Sequence, residues 1–311
     1  MEPRKLIRLG NSSFAIALPK DWIEKSGLNK GDEVYVERNS NGEIIISTKF
    51  KKAEDKKIDI HSDKEDALKK NFHAAYTKGY NIVSFKGEGL NSKFLKGLLS
   101  DYLSFEIVEA KEKEIITKDF FDINEAKFEN FVKRMDNDIR EIFTILIESI
   151  KNDKLNPKAV KEIHEIDKSI NKFYFLCSRI FVKGIDNPTI LNILKMNGNQ
   201  LFNNWWMTLN LESLGDGLKY TANWISKLNP ANKGEIYNVL LKLQANYIKS
   251  VEAFIKNDNK KAMEVIHETK QIAEDIDGLE PEKISRITNA LEMVRKNIYQ
   301  NSKIGFYMQY G

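Results

Sequence analysis

The stretch that decides the fold of the N-terminal part is LIRLGNSSFAIALPKDWIEKSG, residues 6–27. Two short apolar runs flank the polar segment GNSS at residues 10–13, a pattern that predicts two strands joined by a turn. Pro19 then opens a short predicted helix that ends at Ser26. Proline fits the first turn of a helix and Gly27 suits its C-terminal cap.

Working outward, this part of the chain contains four predicted strands, at residues 4–8, 14–18, 33–38 and 43–48. The segments EVYVE and EIIIS carry the β-branched and aromatic residues that strands prefer, and NSNGE between them is typical of a turn. Arg4, Lys5 and Arg8 lie on or beside the first strand. A unit of about fifty residues is small for an independent core, so we expect it to pair with a second chain.

Composition places the whole chain among globular proteins with two or three domains, since 41% of its 311 residues are hydrophobic and 30% are charged. A net charge of +4 permits a nucleic-acid contact without requiring one. The single cysteine, Cys177, excludes an intramolecular disulfide, and its neighbours YFLCSRIF favour a buried small hydrophobic residue. Without a signal peptide or an apolar run of ~20 residues, the sequence predicts a cytoplasmic protein that does not span a membrane.

A small α/β module follows a charged linker. Its predicted elements are a strand at 56–60, a helix at 63–78, a strand at 80–85, a helix at 91–103, and a strand pair over 104–117 that breaks at AKEKE. The module contains neither a glycine-rich phosphate loop nor a cluster of acids and histidines. We therefore expect it to serve in connection or dimerisation.

From about residue 124 onward, apolar residues recur at steps of three and four, which predicts long amphipathic helices packed in antiparallel bundles. The helices break at NDKLNP, DNP, LNPANKG and GLEPEK. The main stripes consist of Phe128, Val132, Met135, Ile139, Ile142, Leu146 and Ile150; Ile163, Ile166, Ile170 and Phe173; Ile236, Leu240, Leu243, Tyr247, Val251 and Phe254; and Ile284, Ile287, Leu291, Val294 and Ile298.

This helical half contains an internal repeat. IKND occurs at 150–153 and 255–258, IHE at 163–165 and 266–268, and LE at 211–212 and 291–292. The first two offsets nearly agree, whereas the third is shorter, which indicates an insertion in the first copy around KMNGNQLFNNWW. Two units of three helices each explain these matches. Trp205 and Trp206 fall in the proposed insertion, and we expect one in the core and the other at a partner or second subunit.

The chain lacks the motifs of an enzyme. His61, His73, His164 and His267 have no metal-ligating residue at the spacing of a zinc site, and there is no nucleophile elbow, Walker loop or dinucleotide fingerprint. One acidic pair stands out, because Glu212 and Asp216 are four residues apart on a helix and have few lysine partners nearby. Inward-facing carboxylates of bundle helices can hold metal ions.

The N-terminal segment resembles the AbrB/MazE/SpoVT family of DNA-binding domains over about forty-five residues. The elements that carry the resemblance are LGNS at 9–12, LP at 18–19, GL at 27–28, GDEV at 31–34 and GEIII at 42–46. The family implies a swapped-hairpin β-barrel formed by two chains, hence a homodimer. It also implies DNA contacts from the first strand and its turn, namely Arg4, Lys5, Arg8, Gly10, Asn11, Ser12 and Ser13.

The helical half resembles the PhoU family of phosphate-uptake regulators, through IHEIDKSINKFYFLCSRIF and NLESLGDGLKYTAN. That family implies a metal-binding pattern of an acid followed four residues later by Asp. Glu212 and Asp216 match it, Asp167 matches in part because Asn171 follows, and Glu292 matches in part because Lys296 follows. No cofactor follows from the residues themselves. The resemblance implies a divalent or ferric ion at Asp167, Glu212 and Asp216, in at most one site.

The sequence therefore predicts a multidomain α+β protein. The predicted parts are an AbrB-like domain at 1–50, an α/β connector at 51–122, and PhoU-like repeats at 123–229 and 230–311. The arrangement resembles archaeal phosphate uptake regulators, which implies a homodimeric transcriptional regulator of phosphate uptake rather than an enzyme. Two alternatives remain open. One is a PhoU-like accessory protein that docks on a phosphate transporter or signalling kinase, and the other is an antitoxin-like partner of a toxin.

Overall fold

The computed structural model describes residues 3–38, 42–48, 56–62, 64–152, 155–185, 187–228, 233–279 and 281–307. The contacts within the chain divide it into two compact units, Met1–Glu54 and Asp55–Gly311. The predicted boundary at 50/51 lies in a segment outside the described residues. The boundaries at 122/123 and 229/230 fall inside the second unit and stay predictions.

The first unit consists of two β-hairpins and one short helix. Its elements are β1 (Leu6–Leu9), β2 (Ser13–Ile16), α1 (Lys20–Lys25), β3 (Tyr35–Arg38) and β4 (Ile44–Ser47). The four predicted strands are confirmed to within two residues. Pro19 caps α1, and Gly27, with φ of +66°, follows its C-terminal cap. Among the residues that the structure describes, β1 pairs with β2 alone and β3 with β4 alone. The swapped barrel and the dimer remain predictions.

The second unit begins with the α/β module. Its elements are β5 (Lys57–His61), α2 (Glu65–Thr77), β6 (Ile82–Lys86), α3 (Ser92–Leu99), β7 (Phe105–Lys111) and β8 (Glu114–Asp119). The sheet order is β5-β6-β8-β7, with β5 parallel to β6 and the other pairs antiparallel. A parallel pair needs a crossover, and α2 supplies it.

One predicted helix of this module was too long at its C-terminal end. We expected it to reach residue 103, but α3 ends at Leu99. Beyond this point Tyr102 turns into the module core, where only 6% of it is exposed. Ser104 takes a positive φ of 69° and donates from its hydroxyl to Asp119 Oδ1 at 2.6 Å. These contacts outweigh continuation of the helix.

The rest of the second unit is helical. A 3₁₀ turn (Ile123–Glu125) precedes α4 (Phe128–Lys151), α5 (Pro157–Gly184), α6 (Pro188–Leu194), α7 (Gly198–Leu228), α8 (Lys233–Lys256), α9 (Asn259–Asp277) and α10 (Pro281–Tyr307). Each predicted break falls between the end of one helix and the start of the next, and residues 153–154, 186, 229–232 and 280 of these breaks lie outside the described residues. Most residues of the predicted stripes lie in one hydrophobic core, to which helices of both proposed repeats contribute. Within the part that the structure describes, no helix has the length and apolarity to cross a membrane.

The three repeated peptides lie on corresponding helices: IKND at the ends of α4 and α8, IHE on α5 and α9, and LE on α7 and α10. The insertion in the first copy was placed too late in the chain. When the two IHE peptides are aligned, α5 extends ten residues beyond the position at which α9 ends. When the two LE peptides are aligned, α7 begins before the position at which α10 begins. The insertion therefore spans about residues 175–200, and Trp205 and Trp206 follow it.

The insertion joins the α/β module to the helices through one buried ion pair. Arg179 of α5 is 1% exposed, and its Nε and Nη2 donate to Asp119 Oδ2 at 3.1 and 2.6 Å. Its Nη1 and Nη2 also donate to the carbonyls of Tyr76 and Tyr80 at 2.5 and 2.8 Å. A buried guanidinium with this many acceptors is well satisfied and fixes the orientation of the module on α5.

Candidate nucleic-acid interface and acidic cluster

The predicted DNA-contacting residues lie together on the β1–β2 hairpin of the first unit. Arg4 and Lys5 precede β1, Arg8 lies within it opposite Phe14, and Ser13 begins β2 opposite Leu9. All seven predicted residues are exposed. The hairpin therefore exposes Arg8 beside the polar turn, whereas Arg4 and Lys5 lie at the other end of the first strand.

The turn at residues 10–12 depends on glycine. Gly10 has a φ of +67°, a conformation that costs a residue with a Cβ atom about 1 kcal/mol or more. An added Cβ would meet no atom within 4 Å, so the constraint is the backbone angle and not space. The Arg8 Nε donates to the Gly10 carbonyl at 3.1 Å, which holds the guanidinium beside the turn.

The same hairpin exposes an unusual amount of apolar surface. Opposite residues of an antiparallel pair share a face, so Leu6 and Phe14 lie on one face and Ile7 and Leu9 on the other. Their exposed fractions run from 56% for Ile7 to 68% for Leu6. No described side chain of the first unit is buried. The described residues of a single copy of this unit thus form no buried core.

The predicted metal-binding acids lie together in the second unit, but with a cation already among them. Lys219 Nζ lies 2.6 Å from Asp167 Oδ2 and also contacts Asp216 Oδ1. Asn171 donates to the same Asp167 oxygen at 3.2 Å. The expectation of few lysine partners was wrong, because Lys219 follows Asp216 by three residues and so shares its helix face.

This arrangement does not fit a resident metal ion. The Lys219 ammonium occupies the position between Asp167 and Asp216 where a cation would bind, and it neutralises the charge that would attract one. Among the described residues, no group of three or more His, Cys, Asp or Glu side chains is arranged to hold a metal. In the second repeat, Glu292 is likewise paired, with Arg295 Nε at 2.6 Å.

Of the three predicted metal-binding acids, Glu212 is the one that forms no ion pair with Lys219. Burial, assisted by the charges of Asp216 and Asp167, raises its pKa to about 7. Burial also raises the pKa of Asp167, against the opposing effect of its hydrogen bond from Lys219. Glu212 therefore changes charge near neutral pH, whereas an exposed glutamate does so near pH 4.3.

Replacing Glu212 with glutamine is expected to flatten part of the stability-pH profile. A folded-state pKa of about 7 means that Glu212 contributes stability below about pH 4.5, which is lost as the pH rises to about 7. Since the group is partly solvated, the loss should be about 2 kcal/mol, so Glu212→Gln should gain about that much at pH 8 and little at pH 5. Urea unfolding at both pH values, with exposed Glu162→Gln as control, measures this; equal gains at both would contradict it.

The cysteine, a histidine and the two tryptophans singled out from the sequence all pack or form contacts within the chain. Cys177 is fully buried, as expected, and burial raises the pKa of its thiol. His164 is half-buried and contacts Asn223 Oδ1 at 3.0 Å through Nε2. Trp206 packs against the helical core, and Trp205 stacks on Phe181 at 4.6 Å and donates to a serine hydroxyl. Each tryptophan thus has contacts within the chain.

The first unit is similar to a known protein family. Residues 7–56 match the family described as antidote-toxin recognition MazE, bacterial antitoxin. This match supports a DNA-binding or antitoxin type of domain at the N-terminus, as the resemblance implied. It covers the β1–β2 hairpin but none of the helices α2 to α10. Neither a curated protein nor a solved structure shows significant similarity to the chain.

Proposed function

We propose that the chain is a homodimeric DNA-binding transcriptional regulator. Its first unit, which is of the MazE type, contacts DNA, and its helices α4 to α10, called the helical unit below, sense a signal or bind a partner. The observation that carries the proposal is the β1–β2 hairpin, which exposes a polar turn with Arg8 beside it, and Arg4 and Lys5 just before its first strand. Cationic side chains would contact phosphates, and the turn residues Asn11 and Ser12 would approach base edges.

The apolar surface of the hairpin supports a second copy as the partner. Completely burying a side chain such as Leu, Ile or Phe contributes about 1.5–3 kcal/mol, so a hairpin that exposes five of them is unstable alone in water. The five are Leu6, Ile7, Leu9, Phe14 and Ile16. Two chains that interleave their hairpins would form a barrel with a shared core and place two sets of cationic residues on one surface. A symmetric DNA site would follow from this symmetry.

The helical unit supports the sensing half of the proposal. The buried ion pair of Arg179 and Asp119 connects it to the α/β module, and this contact would transmit a change in one part to the other. Its two repeated three-helix units resemble PhoU, which makes phosphate homeostasis the first regulon to examine. The dependence of DNA binding across the genome on phosphate supply would show whether the regulated genes are those of phosphate uptake.

Loss of the Arg8 guanidinium should weaken DNA binding. In a dimer, Arg8→Ala removes two charged contacts with phosphates, and we expect an affinity at least about tenfold lower. Lys25→Ala is the matched control, because it removes the same charge from a side chain that is 82% exposed on α1 of the same unit. Fluorescence anisotropy with DNA from upstream of the gene measures both. Equal affinities for Arg8→Ala and the unaltered chain would show that the assigned surface is wrong.

A second candidate function is favoured by the description of the matched family, which names toxin recognition. In that case the chain would neutralise a toxin and the hairpin would serve that complex. Co-purification of a small protein, released only by denaturant and toxic when expressed alone, would favour this function. If neither DNA nor a toxin is bound and the chain is retained by membranes with a phosphate transporter, the accessory function described above holds.

A further inference from the structure

A cleft between α2 of the α/β module and α5 of the helical unit has the composition of a small-molecule site. Its volume is about 530 Å³, within the range of pockets that hold small ligands. Both walls belong to the second unit.

The floor of the cleft is aromatic. Tyr102 and Phe175 stack with ring centroids 5.3 Å apart, and His73 meets Phe175 edge-on at 4.7 Å. His73 Nδ1 also lies 3.1 Å from the Tyr102 hydroxyl. Burial lowers the pKa of His73 and raises that of Tyr102, so both side chains are neutral at physiological pH. An apolar or aromatic body would lose little by leaving water for this floor.

The rim of the cleft is cationic. Lys69 and Lys70 of α2 and Lys168 of α5 line it from opposite sides. Lys168 is paired with Glu165 at 3.0 Å, but among the described residues no ion pair involves Lys69 or Lys70. Asp66 and Asp101 also line the cleft, so the lining side chains carry one net positive charge.

We propose that this cleft binds a phosphorylated nucleoside, with its base against Phe175, which is backed by Tyr102, and its phosphate at Lys69 and Lys70. The aromatic floor accounts for the base, since aromatic faces attract stacked rings, and the ammonium groups account for the phosphate. Asn171, which lines the cleft, offers an amide to the base or ribose. The site is independent of the DNA-binding proposal, although it would supply that proposal with an effector.

The neighbourhood of the cleft suits an effector. Asn171 also donates to Asp167 of the cluster that contains Lys219, so a ligand that reorients this amide would alter a buried ion pair. The anchor residue Arg179 follows Phe175 by four residues on α5. A bound ligand would therefore contact both the module and the helix that carries it.

Isothermal titration of the full chain with AMP, ADP, adenosine and inorganic phosphate tests the site. We expect AMP or ADP to bind, adenosine and phosphate to bind at least about tenfold more weakly, and Lys69→Ala/Lys70→Ala to lower nucleotide affinity at least about tenfold. Lys158→Ala/Lys161→Ala, which removes two exposed lysines from α5 outside the cleft, should bind as the unaltered chain does.

Three results would overturn the proposal. They are no binding of either nucleotide at millimolar concentration, equal affinity for phosphate and nucleotides, and unchanged affinity in Lys69→Ala/Lys70→Ala. Because both lysines are exposed on the surface of α2, the double variant should fold. Thermal unfolding with and without nucleotide gives a second readout, since a ligand at one hundred times its dissociation constant adds about 2.7 kcal/mol of stability.

Discussion

Replacing Arg179 with methionine is expected to lower the free energy of unfolding of the second unit by about 3–5 kcal/mol. The change leaves the Asp119 carboxylate, whose side chain is 2% exposed, without its cation. It also removes the donor to the carbonyls of Tyr76 and Tyr80. Domains are stable by about 5–15 kcal/mol, so this loss is a large share of the total. Urea unfolding followed by circular dichroism measures it.

Two further variants separate the charge effect from the lost packing. Adding Asp119→Asn to Arg179→Met removes the unpaired charge while keeping an acceptor for Ser104, so part of the loss should return. Lys242→Met breaks an ion pair with Asp275 in which the lysine side chain is 52% exposed, and it should cost at most about 1 kcal/mol. If Arg179→Met costs no more than Lys242→Met, Arg179 does not anchor the α/β module.

The double variant Ile7→Asp/Phe14→Asp is expected to abolish the dimer. It places one carboxylate on each face of the β1–β2 hairpin, so whichever face lies in the shared core receives a charge. A cost of at least about 3 kcal/mol per dimer raises the dissociation constant more than about a hundredfold. Sedimentation velocity over a range of concentrations measures the change, and DNA affinity should fall with it.

The control for this variant is Met263→Asp, which adds a carboxylate at a position of α9 that is 52% exposed in the second unit. It should leave the sedimentation coefficient unchanged. If the double variant sediments as the unaltered chain does, the hairpin does not form the dimer interface. If Met263→Asp also dissociates the dimer, the interface includes α9 as well as the hairpin.

Local patterns were sufficient to predict most of the helices and strands. The apolar stripe of α4 is buried throughout, because a period of three and four residues depends only on neighbouring positions. The C-terminal end of α3 was wrong, because the contacts of Tyr102 and Ser104 that end the helix are made with distant parts of the chain. Aligning the predicted helix ends of the two copies, in addition to the repeated peptides IKND, IHE and LE, would have corrected the position of the insertion from sequence alone.

The site residues likewise divide into those that neighbouring positions in the sequence reveal and those that only the fold brings together. Lys219 could have been found, since its spacing of three from Asp216 is visible in the sequence. The pair of Arg179 and Asp119 could not, because sixty residues separate two ordinary charges and only the fold brings them together. The cleft at His73 and Phe175 was missed for the same reason, as its walls come from elements about one hundred residues apart. The cationic residues of the first hairpin could be singled out as candidates because they are close in sequence, and their contacts with DNA stay a prediction.

The central claim is that the first unit binds DNA as a dimer, and the salt dependence of binding tests it most directly. Arg4, Lys5 and Arg8 from two chains would neutralise six phosphates, so the plot of log affinity against log salt concentration should have a slope of about −5. Arg8→Ala removes two of these contacts and should reduce the slope by about two. A slope near zero, or no retention of DNA at low salt, would contradict the account.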